Sequence, residues 1–157
     1  MTKYKVLFLC IGNSCRSQMA EGFARAYGAD VMEAQSAGLG PAMSVSPLTI
    51  ATMKEKDIDV SAAVPKGVDG VDRNGLSMIV NITGQKLPVR GVQMVDWDVR
   101  DPIGRDEKVF REVRDEIERR VMELILRFRA EQKEEAGSPA GRTSLRQRFD
   151  TRRVRFR

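Results

Sequence analysis

Histidine is absent from the whole chain. That absence excludes Ser-His-Asp hydrolysis, imidazole-assisted cysteine chemistry and histidine-based metal sites. Cysteine is scarce: the only two, Cys10 and Cys15, cannot build a disulfide framework, so a reducing cytoplasm is the expected setting. No apolar run approaches the roughly 18 residues of a membrane span. The N-terminal one breaks at Gly12-Asn13, too soon for a signal peptide, and no membrane partner is expected. Aromatic residues are few, and none lies between Met32 and Arg90. The net charge of +5 is uneven: from Arg142 onward seven arginines face Asp150 alone, a local +6, which leaves −1 for everything before. A polyanion partner, if there is one, would therefore meet the tail and not the body.

One stretch carries chemistry. Val6-Leu7-Phe8-Leu9 reads as a short buried strand, and Ser17 to Arg25 reads as a helix. Between them runs Cys10-Ile11-Gly12-Asn13-Ser14-Cys15-Arg16, with five residues separating Cys10 from Arg16. Amides at a helix N-terminus lack partners within the helix, and the helix dipole adds positive charge. A loop curled over that end forms a nest for an oxyanion. Gly12 and Asn13 tolerate the backbone angles this needs. Arg16 adds a planar fork of donors, and Ser17 can donate a hydroxyl to the Cys10 sulfur. In such a field Cys10 is expected to sit as a thiolate nucleophile beneath a bound anion. The spacing alone is equally compatible with a buried strand-end thiol. The strand before, the Gly/Asn/Ser loop and the helix after favour the catalytic reading. Cys15 does not repeat the pattern, since Glu21 stands six residues on.

The rest of the chain alternates. A second strand is expected over Val31–Ala37, a helix over 47–56 opened by Ser46-Pro47, a third strand over Leu76–Asn81 and a fourth over Val92–Val95. Residues 57–75 predict a loop with a short helix at most. The last helix is expected from Asp106 to about Ala130, because Phe110, Val113, Ile117, Val121, Leu124 and Phe128 form one apolar stripe. Alternation of this kind predicts an α/β fold: a four-stranded parallel sheet between helical layers (αβα), with ligands beyond the carboxyl ends of the strands. Residues 1–130 form the expected catalytic domain and 131–157 a basic tail, most simply a solubilising extension.

A leaving group needs a proton, and without histidine a carboxylic acid must supply it. Asp96, Asp98 and Asp101 compete; Pro102 favours Asp101 by restricting its backbone. Asn13 is expected to hold the loop by hydrogen bonds, and Trp97 to pack in the core or wall the cleft.

The run Cys10-Ile11-Gly12-Asn13-Ser14-Cys15-Arg16-Ser17-Gln18-Met19-Ala20-Glu21-Gly22 resembles the signature of low-molecular-weight protein tyrosine phosphatases and the arsenate reductases that share their fold. The likeness extends to Asp101-Pro102 and Val113-Arg114-Asp115-Glu116-Ile117, over roughly residues 4 to 130. It implies Cys10 as nucleophile, Arg16 and the loop Ile11, Gly12, Asn13, Ser14, Cys15 and Ser17 as anion holders, Asp101 as acid then base, and no cofactor. A second loop cysteine in that family traps the oxidised nucleophile, a role open to Cys15, which is otherwise inert. The first functional reading is hydrolysis of phosphomonoesters through a phosphocysteine, on a small ester or a phosphoprotein. The second is arsenate reduction with an external thiol of the glutathione, mycothiol or glutaredoxin type. Thioredoxin-linked reductases carry a further cysteine pair after the third strand, and Val80–Pro88 has none. Against the phosphatase, Ile103-Gly104 stand where family phosphatases place aromatics. A third reading is a non-catalytic anion- or nucleic-acid-binding protein, whose Arg/Phe tail would grip RNA or an acidic partner.

Overall fold

A computed structural model describes residues 2–137 and 155–156. Four strands, β1 (Tyr4–Cys10), β2 (Met32–Gly38), β3 (Met78–Asn81) and β5 (Gln93–Asp96), form a parallel sheet in the order β2-β1-β3-β5. β4 (Val89–Arg90) lies outside that sheet and pairs antiparallel with β6 (Arg155–Phe156). Among the described residues the α-helices are α1 (Arg16–Tyr27), α2 (Pro47–Lys54) and α3 (Glu107–Gly137). The chain is thus an α/β protein with a parallel sheet whose central strand feeds the Cys10 loop. None of the described helices is long and apolar enough to cross a membrane.

Alternation along β1 divides the core. Val6, Phe8 and Cys10 face α1, α2 and α3, joined by Met19, Phe23, Met53, Phe110, Ile117 and Phe128. Leu7 and Leu9 face the other way with Ile79, Ala37, Val71 and Leu76. The layer over this second face is thin: one 3-10 turn at Val68–Gly70, the segment after β3, and the β4–β6 ribbon. Pro65, Gly67, Gly70 and Gly75 interrupt any longer helix before β3, and Gly84, Pro88 and Gly91 do so after it. The α-helices therefore gather on one face, where the sequence predicts them on both.

The apolar stripe of α3 is buried from Phe110 to Phe128. The helix runs on past Ala130 to Gly137, because Gln132 is also buried and donates to the carbonyl of Thr2 at 3.0 Å. Tyr4 stacks on Phe128 with centroids 4.1 Å apart, which ties the same end of the helix to β1. α2 ends at Lys54, two residues short of its expected limit. Ser46 occupies its N-cap without a side-chain bond; the Ser46 amide instead reaches Ser14. The Arg-rich stretch from Arg142 through Arg153, on which the nucleic-acid reading rests, lies outside the described residues.

Candidate active site

The sheet register sets Cys10 beside Gly38 at the carboxyl ends of β1 and β2. The loop carbonyls find their partners outside it. Leu39 N donates to Cys10 O (3.1 Å), Gly40 N to Ile11 O (2.9 Å), Ala42 N to Gly12 O (2.8 Å) and Ser46 N to Ser14 O (3.2 Å). A trans peptide is planar, so a carbonyl turned outward turns the next amide inward. The amides of Ile11, Gly12, Asn13 and Cys15 therefore converge on the interior of the loop. One of them is seen doing so: Asn13 N points at the Cys10 sulfur, 3.3 Å away. The first turn of α1 holds no acidic residue of its own, so its dipole is unopposed from within the helix.

Asn13 is the post around which the loop is wound. Its φ of 50° lies in the left-handed region, which an asparagine tolerates. Its side-chain amide donates to Ser17 Oγ (2.8 Å) and Ser36 Oγ (2.9 Å), and its Oδ1 accepts from Gln18 Nε2 (3.1 Å) and Lys66 N (3.0 Å). Ser17 Oγ lies 2.8 Å from Cys10 Sγ, and because Asn13 donates to it, its own proton is free for the sulfur. A hydroxyl and a main-chain amide thus stand within hydrogen-bond reach of Sγ.

Arg16 is buried, and its Nη1 donates to Ile82 O (2.7 Å) and Val99 O (3.1 Å). Its Nη2 stands 3.5 Å from Asp101 Oδ2. Asp101 is half exposed, and its Oδ1 accepts the Ile103 amide at 3.1 Å, which holds the carboxylate at the rim. Of the three competing carboxylates, Asp96 accepts from Asn81 Nδ2 (2.8 Å) and Asp98 is exposed; Asp101 is the one brought to Arg16. Cys15, at the N-cap of α1, is buried, and burial pushes its thiol up against the opposing hydrogen bonds of Thr49 and Ser14. Ser14 is spent on structure, donating to Ser44 O at 3.1 Å. Trp97 packs against Phe8 and beneath the Arg120 guanidinium, in the core and not over the Cys10 loop.

Several supporting residues carry no signal in the sequence. Ser36 and Gln18 brace Asn13, and Thr49 Oγ1 donates to Ser14 O at 3.0 Å. Gly38 lets β2 pass against the loop backbone: a Cβ there would sit 2.7 Å from Ile11 O. Only Gly38 offered a hint, as a glycine at a strand end.

A strand-end thiol under a ring of amides, with a buried arginine and a rim carboxylate, defines a cysteine-based oxyanion enzyme. Residues 5–135 match the model of the low molecular weight phosphotyrosine protein phosphatase family, and the chain belongs to that family. It is 38% identical over 129 residues to the glutaredoxin arsenate reductase of Synechocystis sp., covering 79% of this chain and 98% of that protein. It is also 38% identical to arsenate reductase 1 of Bacillus cereus over 124 residues, 76% of this chain and 92% of the relative. A solved arsenate reductase in its phosphate-binding state superposes with a TM-score of 0.72 at 36% identity, covering 80% of this chain and 98% of that one. The YwlE arginine phosphatase of Geobacillus stearothermophilus shares the fold, with a TM-score of 0.72 at 24% identity.

Proposed function

We propose that this chain reduces arsenate with electrons from an external thiol. The observation that carries the reading is the 38% identity to reductases along 92–98% of their length. Two further features support it. The loop after Asp101-Pro102 presents an exposed Ile103 and no aromatic ring, which leaves a phenyl group little to stack on. The chain holds two cysteines, both in the anion loop, so the closing reductant comes from outside.

Arsenate enters the nest as a tetrahedral dianion, taken up by the inward amides and by Arg16. The Cys10 thiolate attacks arsenic(V). An S–As bond forms, an As–O bond breaks, and Asp101 hands its proton to the departing oxygen, which leaves as water. An external thiolate then attacks the Cys10 sulfur. The S–As electron pair passes to arsenic, which departs as arsenite at the +3 level, and Cys10 is left in a mixed disulfide. A second external thiol attacks that disulfide, frees Cys10 and leaves as the oxidised donor. The relative named for glutaredoxin suggests the donor class: a glutathione-type thiol with a glutaredoxin-like protein.

The same groups serve a phosphomonoester hydrolase, the reading the residues of the site alone favour. The supporting observation is Asp101, half exposed and 3.5 Å from Arg16, where an acid for an ester oxygen is needed. The deciding measurement sets arsenate-dependent oxidation of glutathione, mycothiol and a glutaredoxin system against aryl phosphate hydrolysis by the same preparation. The expected result is thiol oxidation that requires arsenate and exceeds hydrolysis at least about 100-fold in kcat/KM, equivalent to about 2.7 kcal/mol. Faster hydrolysis, with no arsenate-dependent oxidation, overturns the proposal. Cys10→Ser abolishes both reactions while retaining phosphate binding.

A further inference from the structure

The end of the chain has no part in that chemistry, yet it is built into the fold. β6 pairs antiparallel with β4, Phe156 opposite Val89 and Arg155 opposite Arg90. Among the described residues β4 has no other strand partner. The Phe156 ring is half-buried against the second core cluster, the one made by Leu7, Leu9 and Ile79 with Leu87 and Val89. The guanidinium of Arg73 lies 5.5 Å from the centroid of the same ring, and Arg73 also pairs with Asp69 at 3.7 Å. One aromatic side chain therefore joins the two segments of the thin layer, 68–73 before β3 and 87–92 after it. A two-residue strand is too short to persist unaided. Main-chain pairing plus one seated ring is the pattern of strand addition, in which backbone bonds hold the segment and a pocket selects its side chain.

We propose that β4, with the Arg73 guanidinium and the second core cluster that receive the Phe156 ring, is a strand-addition site for an extended segment bearing an aromatic side chain, and that its resident is the chain's own β6. The 17 residues between Gly137 and Arg155 can span at most about 60 Å, longer than a domain of this size requires. Covalent connection makes pairing within the chain intramolecular, which favours its own β6 over that of a second copy.

The test uses the full chain with Phe156→Asp, and with Phe156→Leu as the milder variant. Hydrogen exchange at residues 87–92 is expected to quicken at least tenfold in Phe156→Asp and by less in Phe156→Leu, while α3 over 109–125 stays as protected as in the parent. A labelled peptide of residues 150–157 is expected to bind Phe156→Asp at least tenfold more tightly than the parent, whose site is filled. Unchanged exchange over 87–92 in both variants overturns the proposal. So does equal peptide binding to parent and variant, or a peptide-dissociable dimer of the parent, which would make the resident a second copy.

Discussion

Gly38→Ala probes the anion loop with one methyl group. In the structure a Cβ at this position stands 2.7 Å from Ile11 O, 2.8 Å from Asn13 N and 2.9 Å from the carbonyl carbon of Gly12. All three are main-chain atoms of the loop, so no rotamer change relieves the clash. An unstrained contact needs about 3.5 Å, so loop or strand must yield by about 0.6–0.8 Å. Overpacking of this kind costs about 1–3 kcal/mol. For a chain of this length each kcal/mol lowers Tm by about 2–4 °C. The chemical cost is larger, because a misplacement near 1 Å can remove about 100-fold in rate. Gly67→Ala is the control: Gly67 pairs with Gly38 in an isolated parallel bridge, yet a Cβ there meets nothing nearer than Pro41 at 3.8 Å. Thermal denaturation and turnover of both variants are the assay. The expectation is a cooler melting point, turnover down about 10- to 100-fold and weaker phosphate binding for Gly38→Ala, with Gly67→Ala close to the parent. A Gly38→Ala protein within twofold of the parent in turnover and unchanged in Tm refutes the packing argument.

Asn13→Ala leaves Ser17, Ser36 and the Lys66 amide short of a partner and strains φ, and is expected to cost about 3–5 kcal/mol in urea denaturation; a loss under about 1 kcal/mol contradicts its role as the post. Arg16→Lys keeps the charge but loses the fork that reaches Ile82, Val99 and Asp101 together, so turnover should fall at least about 100-fold; a rate near the parent's argues otherwise. Asp101→Asn is expected to slow esters of poor leaving groups more than good ones, and a uniform loss assigns Asp101 to structure instead. The hydrogen bonds from Arg111, then Arg114, hold the Glu55 carboxyl below its ordinary value, as Lys5 does for Asp72 and Arg129 for Asp30. A folded-state value below the unfolded one stabilises above about pH 4 and is lost as pH falls through the lower value. Stability should therefore drop on the acid side and Glu55→Gln should flatten part of that drop; because these pairs are exposed, salt weakens the effect, and a Glu55→Gln profile superimposable on the parent's removes Glu55 from the account.

The comparison of sequence with structure divides by the range of the interaction. Strand, loop and helix around Cys10 are legible in the sequence because each depends on neighbours within about ten residues: an apolar run, Gly12-Asn13, then helix formers. The α3 stripe was legible for the same reason, and every residue of it from Phe110 to Phe128 is buried. The helix extends past its expected end because Gln132, polar although it continues the spacing of the stripe, is buried with its side chain bonded to Thr2 at the far end of the sequence. β4 and β6 were invisible because two residues show no periodicity, and each has meaning only through the other.

The sequence by itself determined that a loop cup with a cysteine floor stands at the end of the first strand, and that imidazole has no part in it. Local backbone preference and residue chemistry suffice for that. Tertiary structure alone decided how the cup is held open: main-chain amides of Leu39, Gly40, Ala42 and Ser46 draw its carbonyls outward, and Gly38 leaves the room. Those contacts are made by backbone atoms from a distant segment, and a backbone amide looks the same in every residue but proline, so no reading of side chains could have found them.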